Sequence, residues 1–194
     1  KDEIRQKMEE INEREEELLI DPAFFTDLTS RLDRVSHVEI LPKVMKATNE
    51  LSAYRYGAVI HVCNSKDEMP PVHTVAPNAW HEFHAKMDRS SLLNLLQSSR
   101  DTQPIAISNV PYSKTIFDRH VLEALEANDD PAQRSASEFA WIATAREKSQ
   151  LCPALSAVDL VELAKDVGLR VELSWARQRS NHGAIDAVFH RYKP

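Results

Sequence analysis

Residues 43–56 hold a dense set of side chains that could bind or activate a small molecule. The set combines an amide, a carboxylate, a guanidinium, two phenols and two ammonium groups: Asn49, Glu50, Arg55, Tyr54, Tyr56, Lys43 and Lys46. A carboxylate or phenol in such a set could orient an amine or accept its proton. The alternative is that the tyrosines face a core from a strand while Glu50 and Arg55 form a surface ion pair. The sequence leaves both interpretations open.

Two strand patterns flank this set and would position it. His37–Pro42 contains a short β-prone run, and Tyr54–Cys63 alternates between two kinds of side chain with the period of a strand. The polar connection, Lys43–Ala53, is too long for a tight hairpin. A polar loop held between core strands often carries function, so we expect any chemistry to lie here.

His81 and His84 form a second candidate, because positions i and i+3 share one face of a helix. The spacing supplies no third metal ligand, however, and the neighbouring Trp80 and Phe83 are typical of a packing helix. We therefore predict no metal site.

The two cysteines give no catalytic pattern. Cys63 ends a predicted strand, Cys152 precedes a proline, and neither has an adjacent base. They lie too far apart to suggest a disulfide framework, which favours a reducing compartment such as the cytoplasm.

Composition excludes several classes of function. The three glycines, at positions 57, 168 and 183, cannot form a glycine-rich phosphate-binding or dinucleotide-binding loop. The formal net charge of -6 makes nucleic acid an improbable partner. No apolar run is long enough to cross a membrane.

The remaining pattern predicts an α/β fold in which helices alternate with strands. We expect a charged helix over residues 1–20 and a second one from Pro22 that buries Phe24, Phe25, Leu28 and Leu32. A proline-rich boundary is expected at residues 64–77. Beyond it we predict a helix after Asn78, a helix from Ser90 and a strand over 104–110. Three further helices follow, over 115–127, after the capping pair Ser135 and Glu138, and from Ser156 to Gly168, and two strands over 169–175 and 184–192 end the pattern.

Four long runs carry a family resemblance: DPAFFTDLTSRL, HVEILPKVMKATNELSAYRYGAVIHV, PIAISNVPYSKTIFDRHV and VELSWARQRSNHGAIDAVFHRY. In this order, from about residue 7 to the end, the chain resembles the C-terminal part of the N-methyltransferase domain of fungal nonribosomal peptide synthetases of the cyclodepsipeptide type. That domain is inserted into an adenylation domain. It transfers a methyl group from S-adenosylmethionine to the amino group of an aminoacyl thioester, which a peptidyl carrier domain holds on its phosphopantetheine arm.

The resemblance implies the C-terminal half of a Rossmann-like methyltransferase sheet followed by an appended α/β subdomain. His37–Pro42 and Tyr54–Cys63 would be the sixth and seventh strands, in a core over residues 1–63. Residues 64–77 would be a linker, and residues 78–194 would lead to the C-terminal lobe of the adenylation domain. In the family, the loop and the acidic residue that hold the cofactor lie before these strands. We therefore expect the chain to be an excerpt whose S-adenosylmethionine is bound mainly by an upstream half.

If the chain takes part in that reaction, the needs of methyl transfer to an amine suggest roles within residues 43–56. Glu50 would orient the amine or act as its base, Asn49 and Tyr54 would position it, and Arg55 would support Glu50 as an ion-pair partner. Tyr56 and Lys46 would contribute to substrate binding.

Arg177 and Arg179 could read the phosphate of the carrier arm, since a guanidinium group matches phosphate oxygens bidentately. For these arginines the alternative is a solvated turn that pairs with the acidic first helix. For the chain as a whole, the alternative is a non-catalytic module that docks neighbouring synthetase domains.

Overall fold

The computed structural model describes residues 1–16, 18–63, 74–98, 103–127, 140–176 and 183–192. Within these ranges the helices are α1 (Asp2–Glu13), α2 (Pro22–Thr26), α3 (Leu28–Arg31), α4 (Glu50–Tyr54), α5 (Arg89–Ser98), α6 (Ile116–Glu126), α7 (Ala140–Leu151) and α8 (Ala157–Asp166). The strands are β1 (Val35–Pro42), β2 (Tyr56–Val62), β3 (Trp80–Glu82), β4 (Ile105–Val110), β5 (Arg170–Ser174) and β6 (Ile185–His190). This mixture of helices and strands confirms the predicted α/β class.

The first sheet consists of β1 and β2, which pair antiparallel with Val38 opposite Ile60. Val38 and Ile40 share the buried face of β1, because the pleat turns alternate side chains to the same side. A register irregularity between Val35 and His37 lets Val35 join the same cluster. Phe25 and Leu28, from α2 and α3, pack on these residues and form a small hydrophobic cluster. The two strands that flank the predicted site therefore exist and lie side by side, although the second begins at Tyr56 and not at Tyr54, which ends α4.

The second sheet has the strand order β3-β4-β6-β5. β3 runs parallel to β4, whereas the other neighbouring strands are antiparallel. α5 and α8 cover this sheet with Leu92, Leu96, Leu160 and Leu163, each at most 2% exposed. Full burial of a leucine side chain contributes roughly 1.5–3 kcal/mol, so this larger cluster is the main source of stability.

Local capping signals fix the ends of α8 as the sequence predicts. The Ser156 hydroxyl accepts a hydrogen bond from the Asp159 amide, while the Asp159 carboxylate accepts one from the Ser156 amide. Beyond the other end, Gly168 has φ +67°, a left-handed conformation that glycine adopts without strain.

Trp175 joins the two hydrophobic clusters, since its ring packs against both. Its amide donates to the Ile40 carbonyl at 2.8 Å, and its indole Nε1–H donates to the Gly183 carbonyl at 3.1 Å. The ring also meets Tyr112 edge to face, with 5.0 Å between centroids. The end of β5 is thereby attached to β1, and the two sheets form one packed body around this residue.

The predicted helix through Trp80 is wrong. Pro77–Ala79 form a short 3-10 turn, and Trp80–Glu82 then become a strand that pairs with residues 106–108 of β4. The backbone partners that β4 offers outweigh the weak local helix signal. As a result, His81 and His84 do not share a helix face.

Two other predictions need correction. The first helix ends at Glu13 and not at residue 20. Phe24 and Leu32, predicted to be buried, are 59% and 51% exposed, because the second helix is split into α2 and α3 and turns only Phe25 and Leu28 inward. Residues 64–73, the capping pair Ser135 and Glu138, and residues 177–182 with Arg177 and Arg179 lie outside the described residues.

Candidate functional site

A cleft of about 980 Å³ opens between four stretches of the chain that are distant in sequence. Its walls come from Glu15 with residues 18–22, from residues 50–58, from one face of α6, and from Trp175, Gly183 and Ala184. Glu50, Tyr54, Arg55 and Tyr56 all line this cleft. Four of the side chains singled out in the sequence therefore meet in a single cavity.

Asn49 sets the direction of the helix that carries Glu50 and Tyr54. Its side-chain oxygen accepts a hydrogen bond from the Ser52 amide at 3.0 Å, and the Ser52 hydroxyl accepts one from the Asn49 amide at 3.1 Å. This capping box begins α4. Asn49 thus positions the site through the backbone and does not itself line the cleft.

Two side chains from the turn before α6 hold the connection between β1 and α4. The Tyr112 hydroxyl donates to the Ser52 carbonyl at 2.6 Å, and the Lys114 ammonium donates to the carbonyls of Met45 and Ala47, the latter at 2.7 Å. Burial raises the pKa of Tyr112 to about 12. One buried hydrogen bond and two charge-assisted ones therefore attach the segment between β1 and β2 to the chain that follows β4.

Tyr54 meets Asp118 across the cleft. The Tyr54 hydroxyl donates to Asp118 Oδ2, which links the last residue of α4 to the first turn of α6. Partial burial, the hydrogen bond to Asp118 and the negative charge of Asp118, in decreasing order of effect, together raise the pKa of Tyr54 to about 12. Tyr54 therefore stays a neutral phenol at physiological pH, with its proton directed at the carboxylate.

Glu50 and Arg55 form an ion pair with 3.0 Å between Arg55 Nη2 and Glu50 Oε1. Both side chains are largely exposed, so the pair contributes at most about 1 kcal/mol to stability. This geometry agrees with the alternative interpretation of the sequence, in which Glu50 and Arg55 form an ion pair on the surface. The pair nevertheless lies at the edge of the cleft, where it fixes one oxygen of the Glu50 carboxylate.

Tyr56 holds the opposite wall. Its hydroxyl donates to the Ile20 carbonyl, and its ring packs edge-on against Phe25 with 6.2 Å between centroids. Residues 18–22, whose Leu18 and Leu19 are 84% and 71% exposed, are thereby kept beside β2. Tyr56 shapes the cavity while it also packs on the small hydrophobic cluster.

The charges around the cleft are predominantly negative. The described lining includes six carboxylates and two guanidinium groups, which leaves four negative charges in excess: Glu15, Asp21, Glu50, Asp118, Glu123 and Glu126 against Arg55 and Arg119. Apolar side chains, among them Leu18, Phe25 and Leu122, complete the walls. Such a cavity suits a cation or amine that carries an apolar substituent.

Lys46, another predicted site residue, does not line the cavity. Lys46 points to Glu162, with 3.9 Å between Nζ and Oε1, and its side chain is 86% exposed. Arg177 and Arg179 remain outside the described residues, so their predicted role stays a prediction. Among the residues the structure describes, no group of three or more His, Cys, Asp or Glu side chains could hold a metal ion. No helix in this part of the chain is long and apolar enough to cross a membrane.

Reasoning from the sequence missed Asp118, Tyr112 and Lys114. Asp118 lies 64 residues from Tyr54 and, by itself, looks like an ordinary acidic residue in the first turn of a helix. All three fall within the run PIAISNVPYSKTIFDRHV, one of the four that carry the family resemblance. Their place in this run was the one feature of the sequence that could have linked these three residues to the predicted site.

Comparison with known proteins identifies relatives but no domain family, since no family model matches the chain. The chain is 53% identical over 98% of its length to the nonribosomal peptide synthetase kk1B of Curvularia clavata. It is 55% identical over 99% of its length to the PF 1022-synthetase of Rosellinia sp., and 52% identical over 99% to the bassianolide nonribosomal cyclodepsipeptide synthetase of Beauveria bassiana. It spans only 2% of the first of these proteins and 6% of the other two. Over nearly its whole length, this chain is therefore similar to a segment of fungal nonribosomal peptide and cyclodepsipeptide synthetases.

Proposed function

We propose that this chain forms the acceptor side of an N-methyltransferase within a nonribosomal peptide synthetase. Its substrate would be the amino group of an aminoacyl thioester carried on phosphopantetheine, and its partners would be the other domains of the same polypeptide. The observation that carries the proposal is the cleft that brings together Glu50, Tyr54, Arg55 and Tyr56. The similarity to peptide synthetases supports the setting, and the resemblance to their methyltransferase domains suggests the reaction.

The lining of the cleft fits the charged end of the methyl donor. The excess of carboxylates and the tyrosine rings suit a sulfonium, because aromatic faces and negative charges both attract cations. Tyr54 and Tyr56 would face that end, and the nucleoside end is expected to lie on an upstream half of the domain. When bound, S-adenosylmethionine supplies the electrophilic methyl group.

The side chains of this chain would act on the amine. Methyl transfer is an in-line displacement, so much of the rate comes from holding a neutral amine on the axis of the breaking bond. Glu50 would orient the amine or accept its proton, with Arg55 fixing the carboxylate, and Tyr54 would offer its phenol oxygen as an acceptor. Asn49 would contribute indirectly by capping α4.

The test uses the complete synthetase module with an aminoacyl-loaded carrier domain and methyl-labelled S-adenosylmethionine. The wild-type module should transfer the label to the amino group, and Glu50→Gln should lower turnover by about 100-fold while cofactor binding is unchanged. Glu9→Gln, an exposed change on α1 outside the cleft, is the matched control. Absence of label transfer by the wild-type module would reject the methyltransferase.

A binding experiment separates the two halves of the proposed domain. We expect the isolated chain to bind S-adenosylmethionine poorly, because the cofactor loop would lie elsewhere in the domain. Addition of the upstream half should restore binding in calorimetry. Micromolar binding by this chain alone would contradict the division of roles.

A further inference from the structure

We propose that Asp118 and Tyr54 together bind the primary amine of the acceptor and that Asp118 takes the proton that the amine loses. The inference rests on the function proposed above, adds a residue from α6 to the site, and leaves Glu50 with the orienting role of the two roles considered for it. Its starting point is the hydrogen bond from the Tyr54 hydroxyl to Asp118 Oδ2 within the cleft. This bond uses one oxygen of the carboxylate and the only proton of the phenol.

The atoms that remain are acceptors. Asp118 Oδ1 and the lone pairs of the Tyr54 oxygen can each accept a hydrogen bond, because a carboxylate has about four acceptor positions and a phenol oxygen retains its own. Across the described residues, the structure gives Asp118 no hydrogen-bonding partner other than Tyr54. Two acceptors therefore lie side by side, one of them charged, in a cavity with an excess of negative charge.

Asp118 differs from the other carboxylates whose partners are defined in this cleft. Glu50 is paired with Arg55 at 3.0 Å, and Glu123 is paired with Arg119 at 2.8 Å and with His120 at 2.9 Å. The partner of Asp118 is a neutral phenol, so its negative charge is not cancelled by a contacting cation. Among these three carboxylates, Asp118 is the one best able to attract an amine or accept a proton.

Tyr54 keeps the carboxylate in place during this chemistry. Since the pKa of Tyr54 is raised to about 12, the phenol remains protonated and continues to donate to Asp118 while an amine is bound. The carboxylate is also half-buried on a helix, whereas Glu126, two turns further along the same face of α6, is exposed. The pair is thus a fixed acceptor site on two helices, which suits the positioning of a small group.

The proton balance is simple. The lone pair of the neutral amine forms the new N–C bond, and the bond between the methyl group and the sulfonium sulfur breaks with its electrons going to sulfur. The positive charge is now on nitrogen, and one N–H proton passes to the Asp118 carboxylate, from which solvent removes it. No oxidant, reductant or further reactant is required.

The two acceptors also distinguish a primary amine from an N-methylated one. A neutral primary amine has two N–H groups, which can satisfy both acceptors while its lone pair stays free for attack. An N-methylated amine has only one, so its methyl group would face a polar acceptor and leave that acceptor without a hydrogen bond. The pair therefore favours a single methylation of a primary amine.

The experiment uses the complete synthetase module and two small thioesters that differ only in the amine, one primary and one N-methylated. Asp118→Asn should lower kcat/KM for the primary amine by about 100-fold, with S-adenosylmethionine binding unchanged. Tyr54→Phe should lower the ratio of kcat/KM for the primary amine to kcat/KM for the N-methylated amine. It should also yield dimethylated product that mass spectrometry detects. In calorimetry without the methyl donor, Asp118→Asn should weaken binding of the aminoacyl thioester but leave binding of its hydroxyacyl counterpart unchanged.

Glu126→Gln is a charge-matched comparison, because it removes the same charge from the same face of α6 without touching Tyr54. It separates the general negative charge of the cleft from the position of Asp118, and its effect on rate and binding should be much smaller. Equal effects of Asp118→Asn and Glu126→Gln on rate and binding would overturn the proposal and leave the methyltransferase function standing. Unchanged product ratios with Tyr54→Phe would overturn the selection of the primary amine. A wild-type module that transfers no methyl group would instead reject the proposed function itself. Far-ultraviolet circular dichroism establishes that each variant is folded before it is compared.

Discussion

The Tyr112 hydroxyl donates a buried hydrogen bond to the Ser52 carbonyl at 2.6 Å, across 60 residues of sequence. This bond connects the start of the α6 region to the helix that carries Glu50 and Tyr54. Lys114 repeats the connection two residues later, through the carbonyls of Met45 and Ala47. The segment that supplies Asp118 therefore also holds the helix that carries Glu50 and Tyr54.

Tyr112→Phe should lower the free energy of unfolding by about 1 kcal/mol, because it leaves the Ser52 carbonyl without this hydrogen-bonding partner. Tyr112→Ala should cost about 3–5 kcal/mol, since it also removes the ring that packs on Trp175. Denaturant unfolding measures both. An unchanged free energy of unfolding in Tyr112→Phe would show that the hydroxyl contributes nothing of its own, and equal losses in the two variants would show the same for the ring.

Asn49→Ala should destabilise the protein by about 1 kcal/mol, because the first amides of α4 lose their cap. Asn49→Ser should restore most of this stability and most of the binding of an aminoacyl thioester, since serine is also a good cap. If Asn49 contacted the substrate directly, the serine variant would bind as poorly as the alanine variant despite its restored stability. Thermal unfolding and calorimetry on the same samples distinguish the two roles.

The raised pKa values of Tyr54 and Tyr112 lead us to predict that the protein loses stability at alkaline pH. Their pKa values are raised from 10.0 to about 12 in the folded protein, so folding favours their protonated forms. This stabilisation is fully present below pH 10 and is lost as the pH rises towards 12. Spectrophotometric titration of the four tyrosines at 295 nm should show a late component that Tyr54→Phe and Tyr112→Phe each reduce. A single transition near pH 10 in the folded protein would contradict both assignments.

β2 predicts self-association of the isolated chain. It pairs with β1 on one side, and no other strand among the described residues pairs with it. Val59, Ile60 and Val62 are 40–59% exposed, and an apolar strand edge of this kind promotes association. Val62→Lys should weaken association by about tenfold, about 1.4 kcal/mol, in sedimentation experiments, whereas Met8→Lys on α1 should leave it unchanged. A chain that is monomeric at every concentration would refute this prediction.

Strong local signals account for the elements that the sequence predicts well. α8 has a reciprocal cap at Ser156 and a glycine beyond its end, and β4 is a compact apolar run. β3 fails because a strand of three residues carries almost no pattern of its own and exists through its pairing with β4. Short strands of this kind depend on tertiary contacts, and the local sequence pattern carries no information about those contacts.

The same distinction holds for the candidate site. Glu50, Tyr54, Arg55 and Tyr56 were predictable because they are neighbours in sequence and reach one cleft through a single helix-to-strand turn. Asp118 was not, because its relation to Tyr54 arises only when α6 packs beside α4. Asn49 and Lys46 are close in sequence to the site, yet a cap and an ion pair with Glu162 direct them elsewhere.

The four-part origin of the cleft has a consequence for recombination between synthetases. Its walls come from Glu15 with residues 18–22, from residues 50–58 and 115–126, and from Trp175, Gly183 and Ala184. A chimaera joined anywhere between residues 63 and 112 would take Tyr54 from one parent and Asp118 from the other, along with mismatched halves of the Tyr112–Ser52 bond. Exchange of this chain as one block, rather than as separate motifs, is the graft that keeps every wall of the cavity with the partners it evolved beside.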